Sequence, residues 1–219
     1  MAEASSRRFR LHLALLFVGA VAVRLFGLHW DQGHAYHPDE RRIAEAVQQL
    51  SFKPLQLDPK FYAYGSLPFY ATRAAVSLLG RFSPWFVSWD GCLLTGRVLS
   101  ALWGAAGCLL LALLGRKLLG ERVGILAGAL LAIAVFHVQN SHFATNDVPL
   151  ATLVTAAFLL LARAVEKETP GSFALAGAAV GLALATKASA ATLLLPLGLA
   201  PLLLFLRTRR VARPLAAAA

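Results

Sequence analysis

The chain has 219 residues, 58% of them hydrophobic and 15% charged, with a formal net charge of +10. Apolar content of that order, gathered into long runs, excludes an ordinary soluble domain and reads as a polytopic membrane protein. The basic excess sits in short clusters between the runs, the pattern of the positive-inside rule rather than of a nucleic-acid footprint, so no nucleic acid is expected as a partner.

Residues 1–10 form a polar tail ending in Arg7, Arg8 and Arg10. Residues 11–28 are a first apolar run long enough to cross a bilayer. A cleaved signal peptide, with Ala20-Val21-Ala22 as a weak cleavage site, is the alternative; the further spans favour a retained helix. Arg24, near the far end of this run, is placed either to snorkel or to meet a phosphate. Residues 29–90 are a mixed-charge segment whose densest part is His34-Ala35-Tyr36-His37-Pro38-Asp39-Glu40-Arg41-Arg42. A proline followed by two acids predicts a helix start and a helix over 38–50, because proline suits the first helical position and acids suit the positive end of the dipole. The same placement helps keep Asp39 ionised beside a membrane.

Pro54 and Pro59 break the chain before an aromatic stretch from Phe61 to Tyr70, and a helix is predicted from there to about residue 82. On it Arg73, Ser77 and Arg81 share one face, while Leu67, Ala71, Ala74 and Leu78 share another, as in a helix lying along a membrane surface. Four further apolar regions follow, at 91–114, 121–140, 147–163 and a pair within 172–206 divided at Thr186-Lys187-Ala188-Ser189, which makes six spans. Cys92 and Cys108 fall on one predicted helix about 24 Å apart, too far to pair.

The clusters Arg7, Arg8, Arg10; Arg116, Lys117, Arg122; Arg163, Lys167; and Arg207, Arg209, Arg210, Arg213 hold more than half of the basic residues. Placing them inside gives a domain plan of a cytoplasmic tail at 1–10, a transmembrane module at 11–206 with its outer loop at 29–90, and a basic, alanine-rich cytoplasmic tail at 207–219. Asp39 and Glu40 then follow the first span, the run from His137 to Pro149 follows the third, and Lys187 follows the fifth, all on the outer face.

Each of these residues has a plain reading. Asp147 is a helix cap with Pro149 in the first turn, and Lys187 is an interfacial anchor. Together they read as a site, since charges at a bilayer edge are kept mostly where they face a cavity, a partner or a ligand. A sugar carried on a polyprenyl phosphate suits such a site. Transfer to a hydroxyl needs a base for the proton and positive charge for the departing phosphate. Asp39 suits the base, and Lys187, Arg97 or Arg24 the phosphate. Alternatively Asp39, Glu40, Asp147 and a histidine hold a divalent cation, Mg or Mn.

At these residues the sequence resembles the GT-C superfamily of membrane glycosyltransferases. It is most similar to glycosyltransferase family 39, the polyprenyl-phosphate-mannose protein mannosyltransferase-like proteins, with aminoarabinose lipid A transferases as relatives. The likeness runs over about residues 10–206. It is carried by Arg24, the Asp39-Glu40 pair, the segment from Tyr64 to Tyr70, Arg97-Val98-Leu99-Ser100, His142-Phe143-Ala144-Thr145-Asn146-Asp147 and the stretch from Gly177 to Lys187. The resemblance implies an all-α polytopic bundle and an inverting transfer with Asp39 as base, Glu40 supporting its loop and Asp147 completing an acidic site. The donor phosphate would meet Lys187, Arg97 and Arg24, and substrate would meet His37, Tyr64, His142 and Asn146. The implied partners are a polyprenyl-phosphate sugar, an acceptor protein or lipid, and the cytoplasmic membrane, with the active face outside. Family members often carry a Pro-Pro segment where this chain has Tyr64-Gly65-Ser66-Leu67-Pro68, and they are usually longer, so the chain is expected to be an N-terminal part. A non-catalytic polyprenyl-lipid-binding or lipid-moving protein is the alternative. A transporter is disfavoured because the acids lie at span ends.

Overall fold

The computed structural model describes residues 2–216, with side chains over 7–207; Arg209, Arg210 and Arg213 of the expected inner cluster lie outside that side-chain range, and residues 217–219 lie outside it altogether. In hydrocarbon every backbone polar group must be satisfied within its own segment, so the apolar runs become helices. In chain order these are α1 (Ala2–Leu25), α2 (Pro38–Gln49), α3 (Leu67–Leu79), α4 (Trp89–Leu119), α5 (Glu121–Ile133), α6 (Val135–Ser141), α7 (Asp147–Lys167), α8 (Pro170–Leu184) and α9 (Leu194–Ala216). A small antiparallel pair, β1 (Ser51–Phe52) and β2 (Leu55–Gln56), follows α2. The result is an all-α polytopic membrane bundle.

The 31-residue α4 is its axis, touching α1, α2, α3, α5, α6 and α7. At 1.5 Å per residue it is about 46 Å long, well beyond a hydrocarbon core of about 30 Å. Its buried stripe is largely small: Gly96, Ala101, Gly104, Ala105, Gly107, Cys108, Ala112 and Gly115. Between membrane helices such residues let backbones approach, which is how contact is gained where lipid is as apolar as leucine.

Among the described residues three helices are long and apolar enough to cross a membrane: α4, α7 and the continuous stretch Ala188–Arg207. The pair α5 and α6 passes the same test when taken together, but it bends by 61° at its break, the geometry of a broken span or of a re-entrant loop. The six expected apolar regions are largely helical, but among the described residues only three helices, or four crossings with the bent pair, qualify where six spans were expected; α1 and α8 do not. The region expected as one span at 121–140 breaks at Ala134, which is extended (φ −62, ψ 112). The carbonyls of Leu131 and Ala132 freed there accept from the Arg24 guanidinium at 3.2 and 3.1 Å. The α8 helix has only 15 residues, about 22 Å. The first helix already begins at Ala2, inside the segment read as a polar tail.

In the segment between α1 and α4, α2 starts where Pro38-Asp39-Glu40 predicts, with His37 Nδ1 accepting from the Asp39 N–H at 3.3 Å. It buries Ile43, Ala46 and Val47 against Leu50, Phe69, Val76 and Cys92. The face that α3 buries is Phe69, Thr72 and Val76, which coincides with neither of the two stripes read from periodicity and lies on the far side of the helix from both. The helix ends at Leu79, before Arg81. Burial of Phe69 and Val76 contributes about 1.5–3 kcal/mol each and fixes this surface element on α4. Away from it, at the other end of the bundle, Arg116 lies over the Phe9 ring at 4.0 Å and Lys117 pairs with Glu166. The short basic clusters and the acidic loop residues therefore occupy opposite ends.

Candidate active site

The site is built on a buried ion network. Arg97, on the third turn of α4, uses all five of its N–H donors. Nε donates to Glu40 Oε1 (2.8 Å), Nη1 to the Leu28 carbonyl (2.9 Å) and Asp31 Oδ1 (2.8 Å), and Nη2 to Asp31 Oδ2 (2.5 Å) and Glu40 Oε2 (2.9 Å). Glu40 Oε1 also accepts the Ala144 N–H at 2.8 Å. Asp31 closes its own turn by accepting from the N–H groups of Gly33 and Ala35. Arg97, Asp31 and Glu40 are all buried, and the guanidinium holds the Asp31 carboxyl well below the usual carboxylate range. One network thereby joins the turn after α1, the first turn of α2, α4 and the turn before α7. It fixes the backbone from which Asp39 projects.

The open part of the site lies on the far side of that backbone. Tyr64 Oη donates to Asp39 Oδ2 at 3.0 Å. The Lys187 ammonium sits 5.1 Å from the centre of the Tyr64 ring and 2.6 Å from Asp147 Oδ1. Its bond to Asp147 raises the Lys187 pKa, and the bond to Asp39 raises that of Tyr64, so both stay protonated as donors at neutral pH. Asp39 and Lys187 are half-buried and Asp147 is exposed, so the row carboxylate, phenol, ammonium, carboxylate is reachable from outside.

Backbone pairing brings the row together. The Gly65 N–H donates to the Thr186 carbonyl at 3.1 Å and the Leu67 N–H to that of Ala185 at 3.0 Å. Asn146, immediately before α7, clamps the join: its Nδ2 donates to the carbonyls of Gly65 (3.0 Å) and Thr186 (2.9 Å). Position 65 must be glycine for this approach, since a Cβ there would overlap the Ala185 carbonyl.

Asp39, Asp147, Lys187 and Tyr64, all expected at the site, are therefore brought together. The other expected residues take different places. Arg97 has no donor left for a phosphate, and Glu40 faces Arg97 rather than the opening. Arg24 is fully buried, donating to the carbonyls of Ala20, Leu131 and Ala132 and to His137 Nδ1. A Cβ on Gly104 would collide with its Nε. Asn146 is buried and binds backbone. His142 lies between two carbonyls, of Val138 and Phe26, each 2.8 Å from a ring nitrogen. His37 caps α2 and packs on Phe143, ring centres 4.7 Å apart.

Asp31, Gly65 and Thr186 were not singled out from sequence. Only the Asp31-Gln32-Gly33 spacing, typical of a side chain closing its own turn, signals one of them. The expected divalent cation finds no ready ligand set. Among the described residues no three His, Cys, Asp or Glu side chains converge on a metal position, because Glu40 is committed to Arg97 and Lys187 already neutralises Asp147.

Residues 92–219, more than half of the chain, match the family described as dolichyl-phosphate-mannose-protein mannosyltransferase. No curated protein and no solved structure matches the chain. The matched region holds Arg97, Asn146, Asp147 and Lys187, and Asp39, Glu40 and Tyr64 are tied to it by the contacts above. The chain belongs to the dolichyl-phosphate-mannose-protein mannosyltransferase family, a family of membrane glycosyltransferases.

Proposed function

We propose that the chain carries the donor site of a polyprenyl-phosphate-mannose-dependent transferase, which moves the sugar to an acceptor hydroxyl with inversion, on the outer face of the cytoplasmic membrane. Tyr64 occupies Asp39 Oδ2, which leaves Oδ1 for the acceptor. As the acceptor oxygen attacks the anomeric carbon from the side opposite the phosphate, its proton passes to Asp39. The bond from the anomeric carbon to the phosphate oxygen breaks, and the polyprenyl phosphate leaves with the bonding pair. The charge that develops on it is met by Lys187, which exchanges Asp147 for the phosphate. Asp147 holds the ammonium in place until then.

The observation that carries the reading is the unbroken row Asp39, Tyr64, Lys187, Asp147, contributed by three separate loops at one end of the bundle. The opposite end of the bundle carries short basic clusters, the pattern expected of an inner face, which supports placing the row outside. No step in it needs a metal.

The test supplies proteoliposomes of the chain with polyprenyl-phosphate mannose labelled in the sugar and a serine- or threonine-bearing peptide. The expected result is labelled peptide with the anomeric configuration reversed relative to the donor. Donor binding without transfer would favour the lipid-binding alternative, and retention of configuration would remove Asp39 from the role of simple base.

A further inference from the structure

Behind the site, between α3, α4 and the turn before α7, lies a cavity of about 20 Å³. Its polar wall is Thr72, Ser100, Thr145 and Asn146, and the rest is apolar, including Ile43 and Trp103. Three of those side chains end in atoms with no partner in the protein: Ser100 Oγ, Thr145 Oγ1 and Asn146 Oδ1. The residues are 2%, 5% and 1% exposed, so bulk solvent does not satisfy them. Buried polar groups in native proteins are almost always bonded, and one orphan is a minor exception; three around a single small space are not.

We infer that this cavity is a binding site for one ordered water. The volume suits a single molecule, which needs about 10–15 Å³ and two to four polar partners. The donors and acceptors also balance. The Ser100 and Thr145 hydroxyls donate to the water oxygen. The water donates to Asn146 Oδ1 and to Thr72 Oγ1, whose own proton is already given to the Pro68 carbonyl at 2.9 Å.

The water satisfies the Asn146 amide oxygen in the orientation that its two carbonyl partners require. With Oδ1 toward the water, Nδ2 points at the carbonyls of Gly65 and Thr186, as observed; the reverse orientation would set Oδ1 against two carbonyl oxygens. Asn146 is thus a positioning residue. It never reaches substrate, and it transmits the placement of α3 and α4 to the join that holds Tyr64 and Lys187 together.

The direct test is a density map of the intact protein in lipid, at a resolution that shows ordered waters. A single peak about 2.7–3.2 Å from Ser100 Oγ, Thr145 Oγ1 and Asn146 Oδ1 is expected. No peak, or a peak with the short, many-oxygen coordination of a metal ion, would overturn the inference. This readout does not depend on the reaction, so it decides the matter even if sugar transfer is never detected. Where transfer is measured, Thr145→Val, which keeps the shape but removes the hydroxyl, should lower the rate at saturating donor about ten-fold with the donor KM unchanged, and Thr145→Ser should restore it. Equal losses in Thr145→Val and Thr145→Ser, or no loss in Thr145→Val, would contradict the positioning role.

Discussion

Replacing single members of the Asp31–Arg97–Glu40 network tests whether it organises the site. In Glu40→Gln one amide oxygen still accepts from Ala144 and Arg97 Nε, but an NH₂ now faces Arg97 Nη2, and one charge-assisted bond of 2.9 Å is lost. Losing a hydrogen bond to a charged group costs about 1.5–3 kcal/mol, and Asp31 still neutralises Arg97. Arg97→Met instead strands two buried carboxylates, with side-chain exposures of 0%, and costs about 3–5 kcal/mol. At about 2–4 °C per kcal/mol for this chain length, thermal unfolding in detergent should fall by roughly 3–12 °C for Glu40→Gln and about 6–20 °C for Arg97→Met. The double variant Glu40→Gln with Arg97→Met should lose less than the sum, because the second change removes a stranded charge. Unfolding midpoints within about 1 °C of the parent protein for both single variants would refute the network's role, a shift far below that of any buried ion pair. So would strict additivity in the double variant.

Lys187→Met should lower the rate of sugar transfer about a hundred-fold or more, the usual loss when one charge-stabilising donor is removed, in a single-turnover assay with labelled donor; an unchanged rate would leave the phosphate without its proposed partner. Asp31 has a depressed folded pKa, so its contribution is complete above its unfolded value of about 4 and drains away as pH falls below it. The unfolding midpoint measured from pH 6 down to 3 should therefore drop more steeply for the parent than for Asp31→Asn, and parallel curves would contradict the pairing. Gly65→Ala should destabilise by about 1–3 kcal/mol in the same unfolding assay, since its Cβ overlaps the Ala185 carbonyl and must push the paired segments apart. A neutral Gly65→Ala would mean the two segments do not pair as described.

Much of this arrangement is legible in the sequence, because it depends on local signals. The start of α2 follows from Pro38-Asp39-Glu40, the apolar runs give the helices, and counting spans puts Asp39, Asp147 and Lys187 at one end. The roles of the arginines are not legible. Arg24, Arg97 and Lys187 all stand at span ends, and only their distant partners separate the two buried arginines, held by carbonyls of α5 and by Asp31 and Glu40, from the half-buried Lys187 beside Asp147. Asn146 and His142 look like substrate contacts because they belong to the stretch from His142 to Asp147 that carries the family resemblance, yet their partners are backbone carbonyls, of Val138 one turn back and of distant Phe26, Gly65 and Thr186, which carry no side-chain signature. The bend at Ala134 is hidden for a related reason. The apolar run around it continues without Pro or Gly, and what satisfies the broken ladder is Arg24, reaching across from α1.

The proposed transfer of the acceptor's proton to Asp39 is probed by Asp39→Asn. In proteoliposomes with labelled polyprenyl-phosphate mannose, the variant should bind donor as tightly as the parent and transfer sugar about 10²–10⁴-fold more slowly, the range expected when a general base is removed. Transfer by Asp39→Asn at the parent rate, with donor binding intact, would contradict it.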